Sequence, residues 1–144
     1  MTLRPTTATD APAIAGILTG WVAETPWMPG LHTPEQDLWF AGHLIGTQDV
    51  TVLALPGGVG VMSLEGNATT ALHLSPGVRG QGHGQRLLAT AQQGSNRLTL
   101  WTFQANVGAR RFYDLAGFAE IARTDGAGNE EGLADMQLQW GRTP

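Results

Sequence analysis

Hydrophobic positions change their period along this chain, and each change marks an element. Leu3 is an isolated apolar touch that reads as a short opening strand. Ile14, Ile17, Leu18 and Trp21 then recur at i, i+3, i+4 and i+7, which collects them on one face of a helix. Thr9 or Asp10 stands where an N-cap belongs, and Pro12 falls in the first turn, where its missing N–H is not needed. Residues 23–32 hold two prolines and break the period, so they read as an ordered loop. Thr33-Pro34-Glu35-Gln36 is a capping box with proline at the first helical position. Leu38, Ala41, Gly42 and Ile45 continue that second helix, and Gly46 occupies the place of a left-handed C-cap.

The texture then turns to strands. Val50–Leu55, Val59–Glu65 and Ala68–Ser75 are compact runs separated by Pro56-Gly57-Gly58 and Gly66-Asn67, an antiparallel meander. A glycine-rich stretch at 77–84 leads into a helix with Leu87, Leu88 and Ala91 on one face. Arg97–Phe103 is another strand. A last helix runs from Asn106 with Ala109, Phe112, Tyr113 and Ala116 in register, and Gly117 ends it. Phe118–Thr124 and Met136–Trp140 form a closing hairpin around a long polar loop. The order β-α-α-β-β-β-α-β-α-β-β, with no repeat or linker, predicts a single mixed α/β domain over 1–144.

Composition narrows the chemistry. The chain has no cysteine, and its eight basic residues are all arginine. The absent lysine removes a P-loop lysine, a Schiff-base lysine and a lysine nucleophile. The absent cysteine removes disulfides, thiolate metal sites and thiol nucleophiles, and no metal site is expected. A net charge of −4 argues against a broad nucleic-acid surface and suits a small cationic partner. No apolar run approaches the roughly 18 residues of a membrane span, and residues 1–5 lack the apolar segment of a signal peptide, so a cytoplasmic location is expected. Glycine appears 20 times, in about twofold excess over ordinary usage.

The densest glycine cluster carries the chemistry. Between a strand and a helix lies Arg79-Gly80-Gln81-Gly82-His83-Gly84. Three glycines in five residues let a ligand approach the main chain, and successive N–H groups followed by a helix N-terminus receive phosphate oxygens. Arg79 adds a bidentate cation. A Walker loop is excluded by the missing lysine. A dinucleotide fingerprint is excluded by the glycine spacing and by the lack of any acidic residue between Glu65 and Asp114.

Arg79–Gly84 resembles the coenzyme signature of the GNAT superfamily of acetyl-CoA-dependent N-acetyltransferases, Arg/Gln-x-x-Gly-x-Gly/Ala after the fourth strand. Asn106-Val107-Gly108-Ala109-Arg110-Arg111-Phe112-Tyr113-Asp114-Leu115-Ala116-Gly117-Phe118 is similar to the family's second element, Asn-x-x-Ala-x-x-x-Tyr-x-x-x-Gly-Phe, at every named position. The pieces at 24–29, 100–104 and 124–131 look like a bacterial subgroup of that family. The resemblance spans Leu3 to Trp140. It implies a central, mostly antiparallel twisted sheet of six to seven strands flanked by about four helices.

It also implies roles. Acetyl-CoA would be the co-substrate and an amine the acceptor, in a monomer or a homodimer. Leu72, His73 and Leu74 would meet the pantetheine arm through their main chain, with the Leu74 amide facing the thioester carbonyl. Arg79, Gly80, Gln81, Gly82, His83 and Gly84 would hold the pyrophosphate, and Asn106 would meet the arm or simply cap its helix. Tyr113 would be the general acid, or else a core tyrosine. Family bases project from the fourth strand with the parity of Leu72, but Ala68, Thr70 and Leu72 cannot serve. His73, of opposite parity, is a further candidate base, though its side chain is expected to point away from the slot. Glu24 in the first loop and Glu130 and Glu131 in the last remain as candidate bases or acceptor anchors, with Trp27 and Trp101 as pocket walls. The missing strand carboxylate leaves open a non-catalytic acyl-CoA-binding module, and a nucleotide-binding protein is a third reading.

Overall fold

A computed structural model describes residues 2–141. The elements are β1 (Thr2–Pro5), α1 (Ala11–Glu24), α2 (Pro34–Thr47), β2 (Asp49–Leu55), β3 (Gly58–Glu65), β4 (Ala68–Leu74), α3 (His83–Gln93), β5 (Arg97–Phe103), α4 (Val107–Leu115), β6 (Ala119–Thr124) and β7 (Asp135–Gly141). This is the expected order. The strands form one seven-stranded sheet, β1-β2-β3-β4-β5-β7-β6, antiparallel throughout except for the parallel β4–β5 neighbours.

Each face of the sheet buries its own helix pair. Ile14, Ile17, Ala41 and Leu44 from α1 and α2 pack with Val50 and Val61. On the other face Leu87, Leu88 and Tyr113 from α3 and α4 pack with Leu53, Met62, Leu98 and Leu138. Alternation along β3 sends Val61 to the first core and Met62 to the second. Each such aliphatic side chain contributes about 1.5–3 kcal/mol by leaving water.

Two helix ends differ from expectation. The α2 capping box forms, with Gln36 N–H donating to Thr33 Oγ1 and Thr33 N–H to Gln36 Oε1. At the other end Gly46 lies inside the helix rather than in a left-handed cap. Thr47 Oγ1 donates to the His43 carbonyl and Gln48 N–H to the Leu44 carbonyl, so the last turn closes without a left-handed residue. Glu24 is the last residue of α1, not a loop residue, because Thr25 Oγ1 back-bonds the Trp21 carbonyl and extends that turn.

The departure that positions the site is a β-bulge in β4. Ser63 pairs with Ala71 but Leu64 pairs with Thr69, leaving Thr70 without a partner. Gln48 stitches this bulge to the end of α2, its Oε1 accepting from both Ser63 Oγ and Thr70 Oγ1. Beyond the bulge β4 leaves its neighbour. Only Ala68 is registered with β5, opposite Thr99.

The β6–β7 loop is shaped by Gly126, whose φ is +88° and whose absent Cβ would lie 2.3 Å from the Leu133 carbonyl carbon. Gly126→Ala is expected to cost at least about 2 kcal/mol, from left-handed strain and backbone displacement together. Urea denaturation measures it; an unchanged midpoint would contradict the packing of this loop.

Candidate active site

The bulge decides which main-chain groups face the opening. Ser75 N–H donates to the Val59 carbonyl. Hydrogen-bonding direction alternates along an antiparallel strand, so the N–H and C=O groups of Leu74 and Leu72 point away from β3, into the gap beside β5. One of them is engaged there: the Leu74 carbonyl accepts from Arg79 Nε at 3.2 Å.

Just past β4 the chain makes a single 3-10 turn at Pro76–Val78 and enters the glycine-rich loop. Gly80 and Gly82 have φ of +75° and +87°, and a Cβ on either would meet nothing within 4 Å. These two glycines therefore serve backbone conformation and leave open space above the loop. Gly82 is the N-cap of α3, and the first helical bond is Arg86 N–H to its carbonyl. The N–H groups of the first turn, at His83, Gly84 and Gln85, precede that bond and face the loop end. Gly84 differs from its neighbours. It is buried, and a Cβ there would touch the Phe112 ring at 3.3 Å, so this glycine lets α3 approach α4. Gln81 donates to the Gly77 carbonyl at 3.5 Å, and His83 is half-buried at the helix start. Arg79 also meets Glu24, Nη1 to Oε1 at 2.5 Å, with both side chains about two-fifths exposed.

Two cavities adjoin the gap. One, of 640 Å³, extends between β4 and β5 to Asn106, Ala109 and Tyr113 and is walled on its outer side by Trp101. The other, of 680 Å³, lies against α1 and α2. Trp21, His73, Phe103 and Glu131 line both.

This arrangement corrects the strand-parity expectation. Cross-strand partners share a face, so His73 lies with Val61 on the α1–α2 side, and Leu72 lies with Met62 on the α3–α4 side. The His73 ring packs edge-on against Trp21 at 5.7 Å between the two cavities instead of pointing away from them. The bulge also breaks the assumed series: Thr70 bonds to Gln48 with Ser63, on the face opposite Leu72. Burial, aided by the Arg79 charge, pushes the His73 imidazole down to about 4, so it is neutral at pH 7.

The other candidates are sorted by their partners. Glu24 lines neither cavity and is held by Arg79, so it belongs to the glycine-rich loop and not to an acceptor pocket. Glu130 lines the α1–α2 cavity and pairs with His32 at 2.9 Å. Glu131 lines both cavities, is half-buried, and has no hydrogen bond or ion pair among the described residues. Trp27 is not a wall residue; it braces Trp21 and Phe103 from behind, at 5.9 and 5.8 Å. Asn106 Oδ1 accepts from Ala109 N–H, a cap, while the residue also lines the 640 Å³ cavity. Tyr113 packs edge-on between Phe112 and Phe118, and burial pushes its phenol up to about 12. It is both a core residue and a cavity residue.

Sequence reasoning missed Trp21, Phe103 and Thr69. Trp21 was visible only as a helix-face hydrophobe. The Thr69 hydroxyl is buried without a partner and lines the 640 Å³ cavity. Among the described residues there is no group of His, Asp and Glu able to hold a metal, and no helix long and apolar enough to cross a membrane.

Solved structures share this architecture. The apo-form of YjaB from Escherichia coli superposes with a TM-score of 0.79 at 22% identity, covering 98% of each chain. A ribosomal-protein-alanine N-acetyltransferase from Brucella melitensis gives 0.74 at 22% identity, covering 99% of this chain and 100% of that one. YncA from Salmonella typhimurium, solved with its cofactor acetyl-CoA, gives 0.72 at 21% identity over 100% and 97%. A search of curated protein sequences finds no match. The profile described as Acetyltransferase (GNAT) family matches residues 19–118, from within α1 to the end of the Tyr113 element. The chain belongs to the GNAT acetyltransferase family.

The His73 environment has a consequence for stability. Its folded value lies below the ordinary 6.5, so its contribution is complete above pH 6.5 and is lost as pH falls through 4. The difference amounts to about 3 kcal/mol. Between pH 7 and pH 4, His73→Gln should lose about 3 kcal/mol less than the parent in urea denaturation. Parallel pH profiles for the two proteins would contradict a neutral, desolvated imidazole.

Proposed function

We propose that this protein transfers the acetyl group of acetyl-CoA directly to a primary amine. The observation that carries the reading is the opening between β4 and β5, edged by the main-chain groups of Leu72 and Leu74 that face away from β3 and ending at the glycine-rich start of α3. Pantetheine amides suit the strand edge, and pyrophosphate suits the open loop above Gly80 and Gly82. On binding, the diphosphate competes with Glu24 for Arg79.

The amine nitrogen attacks the thioester carbonyl carbon, forming C–N. The C–S bond breaks, and its electron pair leaves on sulfur. The Leu74 N–H is oriented to donate to the carbonyl oxygen as it becomes anionic. Tyr113 stays a neutral donor across the working pH range, because burial holds its phenol near 12. It donates a hydrogen bond to the departing thiolate and supplies its proton, and the second proton, shed by the nitrogen as the amide forms, restores the phenol. The ammonium proton of the acceptor leaves through Glu131 or His73, the two titratable groups lining both cavities. With no cysteine or lysine in the chain, no acyl-enzyme step is invoked.

A second reading, an acyl-CoA-binding module without catalysis, is favoured by one feature: residues 68–74 include no carboxylate. Thiol release from acetyl-CoA across a wide amine panel separates the two. Amine-dependent release supports transfer, and tight coenzyme binding without release supports the binding module.

Two variants test the residue roles. Gly82→Val places a branched side chain in the open space over the loop and should abolish coenzyme A binding by calorimetry with the fold retained. Unchanged affinity would contradict the cradle. Tyr113→Phe should lower kcat about 10- to 100-fold with coenzyme affinity unchanged. Equal turnover would make Tyr113 a packing residue only.

A further inference from the structure

The 680 Å³ cavity is within the size range of small-molecule sites and reaches the thioester opening through the shared wall. Its lining is markedly one-sided. Leu18, Val22, Met28, Phe40 and Phe103 supply an apolar body, and Trp21 stands at the junction with the other cavity. Three carboxylates, Asp37, Glu130 and Glu131, also line it, while no arginine among the described residues does and the chain has no lysine. The two histidines in the wall do not redress this balance: His73 is neutral at pH 7 and His32 already pairs with Glu130.

The carboxylates are not equivalent. Asp37 Oδ2 accepts from Thr19 Oγ1 at 2.6 Å, and Glu130 is held by His32. Glu131 alone is half-buried and without a partner among the described residues, and it sits where the two cavities meet. A partly desolvated carboxylate without a cation is stabilised by an ammonium group brought beside it.

From this arrangement we infer the acceptor class: an arylalkylamine or similar apolar primary amine, bearing no carboxylate, with its ammonium at Glu131 and its ring among Trp21, Phe40 and Phe103. The inference rests on the acetyl-transfer reading and specifies its second substrate. A carboxylate on the acceptor would enter a wall whose described residues offer it no arginine and three carboxylates, one of them already held by His32. A polyamine's second ammonium would have to draw Asp37 from Thr19 or Glu130 from His32, or else lie among apolar side chains.

Matched acceptors make the test. Thiol release from acetyl-CoA is followed with 2-phenylethylamine and tryptamine, their carboxylated counterparts phenylalanine and tryptophan, spermidine, and a lysine-containing peptide. Expected is a kcat/KM for the arylalkylamines at least about 100-fold above that for the two amino acids and for spermidine. Glu131→Gln should raise KM for 2-phenylethylamine at least about 10-fold while coenzyme A affinity by calorimetry stays unchanged. Binding of 2-phenylethylamine to the protein saturated with coenzyme A gives a readout independent of turnover. Phenylalanine accepted as well as 2-phenylethylamine, or spermidine or the peptide preferred, would overturn the acceptor class and leave acetyl transfer standing. No saturable binding of 2-phenylethylamine and no release with it would overturn it as well. Failure of acetyl-CoA itself to bind would remove both readings.

Discussion

Two adjacent parallel strands that share a single registered residue pair cannot hold each other for the rest of their length. Between β4 and β5 that pair is Ala68 and Thr99. The sheet stays whole because each strand is secured from its other side, β4 by β3 and β5 by β7. What this leaves inside the protein is a strand edge that would be a liability on the surface. Here it is sheltered by helices on both faces, so its amides are available to a ligand and not to another sheet. The bulge at Thr70 belongs to the same construction, since it re-aims β4 at the level where the separation begins, and Gln48 anchors it to α2.

The order of elements was legible because period and punctuation are local properties. Thr33 with Gln36, and Gly117 with its φ of +94°, do what their residue types do in any chain. The glycine-rich loop and the Asn106–Phe118 element were legible for the same reason, each being contiguous. What could not be read was set by partners far away in sequence. Leu72 and His73 do alternate, but only the approach of Trp21 from α1 makes the His73 face a cavity wall, and the register skip against β3 moves Thr70 off the series counted along β4 alone. Glu24 and Arg79 are 55 positions apart in numbering, and only the approach of α1 to the loop makes them a pair. Gly84 looked like a ligand glycine among ligand glycines; the Phe112 ring that gives it another task comes from the following helix.

Carboxylates illustrate how partners divide residues of the same type. Glu24, Glu130 and Glu131 are chemically identical and none stands on a strand. The partner that each does or does not meet separates them: Arg79 for the first, His32 for the second and, among the described residues, none for the third. The chain's restriction to arginine sharpens this sorting. A guanidinium is not a nucleophile at neutral pH, so the chain carries no side-chain amine or thiol to compete with an external amine for an acyl group.

The wall of Trp21, His73 and Phe103 is one set of atoms with two surfaces. Any adjustment that one ligand makes in those rings is presented at once to the other. For the coenzyme and acceptor proposed above, linkage then requires the effect to be mutual: the factor by which one changes affinity for the other is the same in both directions. Trp27 packs edge-on against two of those rings, Trp21 and Phe103, while lining neither cavity itself.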